Sequence, residues 1–327
     1  MNRQRRTSLQ LLLGSIVISS CMVAAHAQAF PGRQVTLVVP FPAGGPNDIV
    51  ARALAERLAA TWKQPVIVDN KAGATGNVGA QFVARAPGDG HTLLLTLDTS
   101  LTANPTIYGK RMGFNVDKDL RPVAMLGRFS QMLVVNPSTG IADIKGFTQA
   151  ATKAGLTYGS AGNASPGHLT MEGLHSLLTG SKFTHIPYRG NAPALIDLLG
   201  GQVQAGFIAT PTVAQHVAAG KLKALAVSGS RRSPLAPGVP TLTELGYGGA
   251  TADFGYALMV PGSTPDATVQ QINTDLRKVI ADSQVVARLR ELDIEPVVGT
   301  EQQAAAALKA GRDRWARVIK AQGITGE

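Results

Sequence analysis

Gln34-Val-Thr-Leu-Val-Val-Pro-Phe-Pro-Ala-Gly-Gly-Pro-Asn-Asp-Ile-Val50, continued by Ala51-Arg-Ala-Leu-Ala-Glu-Arg-Leu-Ala-Ala-Thr-Trp62, is the stretch that decides the fold of this chain. Val35, Leu37 and Val39 alternate in a run rich in β-branched residues, the pattern of a buried strand. Ile49, Ala53, Leu54, Leu58 and Trp62 then recur at helical spacing, with Arg52, Glu56 and Arg57 on the other face. Between strand and helix, Pro40, Pro42 and Pro46 fix a turn, while Gly44 and Gly45 let backbone come close to a ligand. Asn47 or Asp48 is expected to cap the helix through its side-chain oxygen. Strand, glycine loop and helix start together form an anion cradle, because unpaired N–H groups and the helix dipole point out of it. A tight strand-to-helix turn with no ligand uses the same residues.

Upstream, residues 1–27 read as a signal peptide. Arg3, Arg5 and Arg6 make a positive start, Leu9 to Val23 supply an apolar core, and Ala25-His26-Ala27 fits small-x-small cleavage. The apolar run is too short and interrupted for a membrane span. Arg5-Arg6 is a weak sign of twin-arginine export. Cys21, the only cysteine, is the alternative attachment point for a lipid anchor. Cleavage after Ala27 removes that thiol and with it disulfides, thiolate catalysis and cysteine metal sites. The remaining chain is long enough for two domains with cores of their own. Of 31 basic residues the leader carries three, leaving 28 against 21 acidic. That excess suits an anionic small molecule. Nucleic acid is not expected, since the charges are scattered and form no basic stripe with interleaved aromatics.

Strands and helices alternate along the chain, which predicts an α/β protein with largely parallel sheets. Pro65 to Asn70 and His91 to Leu97 are further strands, and Gly76 and Asn77 lie in a second glycine-rich turn. Thr99 and Ser100 follow the end of a strand, where open α/β sheets bind ligands. Strands within 121–128 and 132–135 carry the chain into a second unit. There Leu156-Thr157-Tyr158 runs into Gly159-Ser-Ala-Gly-Asn-Ala-Ser-Pro-Gly-His168. Ser165 followed by Pro166 is a strong helix start, serine as N-cap and proline at the first position. This is the second anion cradle.

Several chemistries fail on spacing. Gly162 to Gly167 has the gap of a P-loop, but His168-Leu169 stands where lysine and a hydroxyl residue belong. Neither glycine turn is a dinucleotide fingerprint, and Ser165 is not in a G-x-S-x-G elbow. His168 and His175 share a helix face, yet without a thiol or an H-E-x-x-H pair they read as satisfied histidines rather than metal ligands. No catalytic residue, cofactor or metal is assigned.

Taken in order, Pro40 to Asp48, Pro65-Val-Ile-Val-Asp-Asn70, Pro87-Gly-Asp-Gly90, Tyr158-Gly-Ser-Ala-Gly162, His185-Ile-Pro-Tyr188, Ala192-Pro-Ala-Leu195, Asp197-Leu-Leu-Gly-Gly-Gln202 and Ala219-Gly-Lys-Leu-Lys223 form one set. The set resembles the periplasmic solute receptors of tripartite tricarboxylate transporters, the Bug family, over essentially the whole chain after the leader. The resemblance implies a two-lobed periplasmic-binding-protein fold of the Venus-flytrap type, α/β in both lobes, with the ligand cleft between them. Lobe 1 would comprise residues 30–130 plus 253–327, and lobe 2 residues 131–252. It also implies a monomeric protein that does no chemistry, holds an organic carboxylate, and hands it to two membrane subunits.

Carried over residue by residue, the binding set is Phe41, Ala43, Gly44, Asn47 and Asp48, then Gly76, Asn77, Thr99 and Ser100. From the second lobe come Ser160, Gly162, Asn163, Ser165 and His168. Ile208 and Ala209 stand where many relatives carry an acidic-amide pair, so an amino-acid ligand is not expected and the far wall should be apolar. No arginine fork for a carboxylate is evident, although Arg128 and Arg189 are placed to approach the cleft. A receptor feeding a signalling pathway would look the same, and an exported hydrolase is the enzyme alternative.

Overall fold

The computed structural model describes residues 30–326, so the leader, its cleavage site and Cys21 lie outside the described residues. Strand β1 (Val35–Val39) passes through the proline-glycine turn into α1 (Pro46–Trp62). Then come β2 (Val66–Asn70), α2 (Asn77–Ala84) and β3 (Thr92–Leu97). Three short helices, α3 (Asp98–Thr102), α4 (Asn104–Tyr108) and α5 (Val116–Asp119), precede the long strand β4 (Leu120–Phe129). Only Ser130 separates β4 from β5 (Gln131–Val135), which opens the second unit.

That unit continues with α6 (Ile144–Lys153), β6 (Leu156–Ser160), α7 (Pro166–His175) and β7 (Phe183–Pro187). It closes with α8 (Asn191–Leu199), β8 (Ala205–Ala209), α9 (Thr210–Ala218) and β9 (Lys223–Val227). The chain returns in β10 (Phe254–Pro261) and ends through α10 (Asp266–Ile280), α11 (Ser283–Glu291), β11 (Glu295–Val298) and α12 (Glu301–Ala321).

Two sheets result, ordered β11-β4-β10-β3-β1-β2 and β7-β6-β8-β5-β9. β1 pairs in parallel with β2 and β3, and β6 with β7 and β8. All other pairings are antiparallel. The expectation of largely parallel sheets is therefore corrected to mixed ones. A parallel neighbour needs a long crossover connection. β4 instead passes straight into the other sheet, and β10 comes back from it, so neither belongs to a strand–helix–strand unit.

The central strands of both sheets are buried on both faces, which explains their near-continuous apolar sequences. Leu37, Leu93 and Leu95 pack under Leu54, Leu58 and Leu276 on one face of the first sheet. Val38 and Leu94 meet Ala80, Val83 and Leu101 on the other. Each fully buried leucine contributes roughly 1.5–3 kcal/mol relative to exposure. The second sheet divides the same way, Leu133 and Phe207 to one side and Met132, Val134 and Ile208 to the other. A smaller cluster joins the lobes: Trp315 of α12 stacks on Phe254 at 5.8 Å between ring centroids, beside Ala164 and Leu169.

Candidate functional site

The C-terminal ends of β1, β3, β6, β7 and β8 converge on one cleft of about 570 Å³, walled by residues of both lobes. The strand ends of open α/β sheets are where ligands bind. Each strand end leads into a helix start, and four of those helices span two turns or more: α1, α7, α8 and α9. Their N-terminal residues line the cleft: Pro46 and Asn47, Pro166 and Gly167, Asn191 to Pro193, and Pro211 and Thr212. Four positive helix ends thus face one space.

At the first cradle, Gly45 is the N-cap of α1 and has no side chain to cap it, while Pro46 at the first helical position puts Asn47 and Asp48 inside the helix. The expectation that Asn47 or Asp48 caps the helix is corrected accordingly. Asp48, one position further in, turns back to the loop. Its carboxylate accepts from Gly44 N at 2.9 Å, Arg52 Nε at 2.8 Å and Asn70 Nδ2 at 3.0 Å. Asn70 also donates to Phe41 O at 3.1 Å, tying the loop to β2. The Arg52 hydrogen bond, helped by those from Gly44 and Asn70, holds the Asp48 carboxyl below the ordinary range against the opposing pull of burial. Gly44 sits at φ +79°, a backbone state that favours glycine. Asn47, 5% exposed, lines the cleft, and its Nδ2 has no hydrogen-bond partner among the described residues.

The second cradle is built from uncharged groups. Ser165 caps α7 by accepting a long bond of 3.4 Å from His168 N, with Pro166 at the first helical position. His168 answers with its ring: Nδ1 accepts from Ala164 N at 3.1 Å. Ala164 is in the left-handed region, φ +57°, so this bond helps hold a conformation that a non-glycine residue resists. The His168 ring stacks on His185 with centroids 3.8 Å apart. His185 Nε2 lies 2.7 Å from Ser160 Oγ, which also accepts from Gly162 N at 3.2 Å. Burial pushes His168 down to about 3, with the neighbouring His185 adding to it, and His185 down to about 4. Both rings are neutral at neutral pH, which leaves Nδ1 of His168 free to accept.

Of the expected binding residues, Phe41, Ala43, Gly44, Asn47, Thr99, Ser100, Ser165 and Ala209 stand on the cleft wall. Asp48, Ser160 and His168 stand behind it and order its loops. Gly76 and Asn77 are also behind. A Cβ on Gly76 would sit 2.7 Å from Ser100 Oγ, and Asn77 Oδ1 accepts from Asn104 Nδ2 at 2.9 Å. Gly162 and Asn163 belong to the second loop, off the wall. Ile208 is fully buried in the core with Met132, Val134 and Val213, while Ala209 faces the cleft. Ile208 therefore contributes no wall.

Sequence reasoning missed the starts of α8 and α9 and the crossover residues Phe129, Gln131 and Tyr256, all on the wall. The proline near the start of each helix, Pro193 and Pro211, repeats the signal given by Pro46 and Pro166. Arg189 lines the cleft, whereas Arg128 belongs to a separate cavity of about 580 Å³ on the other face of the first sheet, shared with Asp98 and Arg314. Asp98 begins α3 yet turns away from the cleft, and burial pushes its carboxyl up to about 7.

Two α/β lobes facing across a cleft lined by helix N-termini define a two-lobed solute-binding protein. The chain belongs to the tripartite tricarboxylate transporter family receptors, whose family model matches residues 50–324. Protein BugT of Bordetella pertussis is 34% identical over 321 residues, 97% of this chain and 98% of its own. The periplasmic binding protein BugD has a similar structure at 31% identity, with a TM-score of 0.78 over 91% of this chain and 100% of its own. A Rhodopseudomonas palustris protein, MatC, with bound malate, matches at 31% identity and TM-score 0.77 over 89% of this chain and 100% of its own. An R. palustris protein with adipate matches at 33% identity and TM-score 0.81, over 90% of this chain and 99% of its own.

Proposed function

We propose that this protein is a periplasmic receptor that captures a small organic carboxylate between its lobes and delivers it to the two membrane subunits of a tripartite transporter. The observation that carries the reading is the convergence of four helix N-termini on a cleft whose wall, among the described residues, holds no acidic side chain. A helix end favours an anion by roughly 0.3–1 kcal/mol, up to about 2 when partly buried. Hydrogen bonds to a charged group add about 1.5–3 kcal/mol each. Asn47 Nδ2, a buried donor without a partner among the described residues, is available for one of them. Together these reach the ~8 kcal/mol of a micromolar complex. The malate and adipate held by the two R. palustris relatives support a carboxylate ligand.

Export by the leader in residues 1–27 and action as a monomer belong to the same reading, as does the division into lobes at 130/131 and 252/253. The binding residues proposed are those on the wall, with Asp48, Ser160 and His168 as positioning residues behind them. A thermal-shift screen tests the function: at least one mono-, di- or tricarboxylate should raise the melting temperature. No shift with any acid, together with a clear shift from a sugar or a cationic amine, would overturn it.

A further inference from the structure

We propose that Arg189 is the specificity-determining residue of the cleft and meets a second acidic group on the ligand. The preferred ligand is then a diacid rather than a monoacid with a neutral or ammonium-bearing tail. This rests on the carboxylate reading of the cleft and sharpens it.

Arg189 is the only formally charged side chain among the described residues of the cleft wall. The nearby carboxylates are unavailable to it: Asp48 is engaged with Gly44, Arg52 and Asn70, and Asp98 faces the cavity on the other side of the sheet. Several arginines elsewhere are ion-paired, as Arg52 is with Asp48, Arg121 with Glu301 and Arg231 with Glu295, but none of these stands on the cleft wall. The Arg189 guanidinium has no hydrogen bond or ion pair among the described residues, although its backbone is fixed on both sides. Tyr188 N donates to Ser160 O at 3.0 Å and Gly190 N to Ala161 O at 3.2 Å, which pins this loop to the second cradle. Tyr188 Oη donates to Asp197 Oδ2 at 2.6 Å and holds the loop from the other side. Gly190 is in turn the N-cap of α8. A cation with five donors therefore stands on a rigid base beside a helix N-terminus, matched to a carboxylate by its planar fork.

The same inventory disfavours other tails. An ammonium group would meet four positive helix ends and a guanidinium with no carboxylate on the wall to pair with it. A neutral tail would leave the guanidinium without a partner in a cleft that a ligand has partly dried. Ile208 adds nothing to the apolar part of the wall, because that side chain is in the core.

The test is calorimetry with straight-chain monoacids from propionate to octanoate, each against the diacid of equal carbon number, plus the corresponding ω-amino acids. Diacids should bind at least tenfold tighter than their matched monoacids, with the amino acids weakest. Arg189→Gln, a change at an exposed side chain, should reduce that ratio at least tenfold. Arg128→Gln removes the same charge on the other face of the sheet and should preserve the ratio. Monoacids binding as tightly as diacids, or a ratio unchanged in Arg189→Gln, would overturn the role of Arg189 while leaving a carboxylate receptor. If none of the acids binds, the carboxylate reading falls and this inference falls with it.

Discussion

In the loop before α1 one buried carboxylate, Asp48, gathers a backbone amide, an arginine and an asparagine; in the loop before α7 the same task falls to a serine cap and two stacked neutral histidines. Both loops present a helix N-terminus to the same cleft. A negative charge can stand close to an anion site only if its own field is spent on other partners, and Asp48 is 4% exposed and triply bonded. The histidine pair avoids that conflict by carrying no charge, at the cost of sensitivity to acid. The contrast shows that an anion cradle is specified by where the N–H groups point, and that quite different side chains can hold them there.

Breaking the charged hub should have the largest effect. Asp48→Ala leaves Gly44 N without its acceptor and takes one of two acceptors from Asn70 Nδ2 in a part-buried site, and should lower folding stability by about 2–3 kcal/mol. The Arg52 pair adds little to that, because Arg52 is 57% exposed. Asp48→Asn keeps an acceptor and should lose about half as much. Urea unfolding of both variants decides the matter: equal losses would mean that charge alone, rather than hydrogen-bond geometry, holds the loop.

Acid should separate the two cradles. His168 and His185 have folded pKa values below the unfolded 6.5, so the unfolded chain binds more protons than the folded one between that value and about 4. Their stabilising contribution is complete above pH 6.5 and declines as the pH falls, by at most about 2 kcal/mol for His168 at pH 5. Asp48 is also depressed but against a carboxylate reference, so its contribution is complete above pH 3.8 and is lost only on further acidification. Stability followed by denaturant from pH 7 to 4 should therefore decline, and His168→Gln, which keeps an acceptor for Ala164 N, should flatten the decline. A wild-type profile level across that range would remove the distinction between the cradles.

Much of this was legible locally. Ser165-Pro166 announces a helix start with no help from the rest of the chain, and the structure has one there. Asn47 and Asp48 mislead because both are good cap residues, yet Pro46 moves the helix start ahead of them and leaves Gly45 as cap. Alternation of strands and helices predicts two α/β units but not strand direction, since β4, β5 and β10 owe theirs to crossing between sheets. Ile208 and Ala209 read as a wall because they stand where many relatives carry an acidic-amide pair. Burial on both faces of β8 takes Ile208 into the core and leaves only Ala209 to the cleft. Arg189 was visible as a charge near a turn, but its lack of partners is a property of the fold.

The two cradles gripping one anion is the central claim, and calorimetry on Asn47→Ala and Ser165→Ala with a carboxylate that stabilises the wild type tests it most directly. Each substitution should weaken binding by about 1 kcal/mol, roughly fivefold. Ser165→Ala should also lower the melting temperature, because it removes a cap, whereas Asn47→Ala should not, because Asn47 Nδ2 has no hydrogen-bond partner among the described residues. Affinity unchanged in both variants, with melting lowered, would contradict the account: the helix starts would then serve the fold alone.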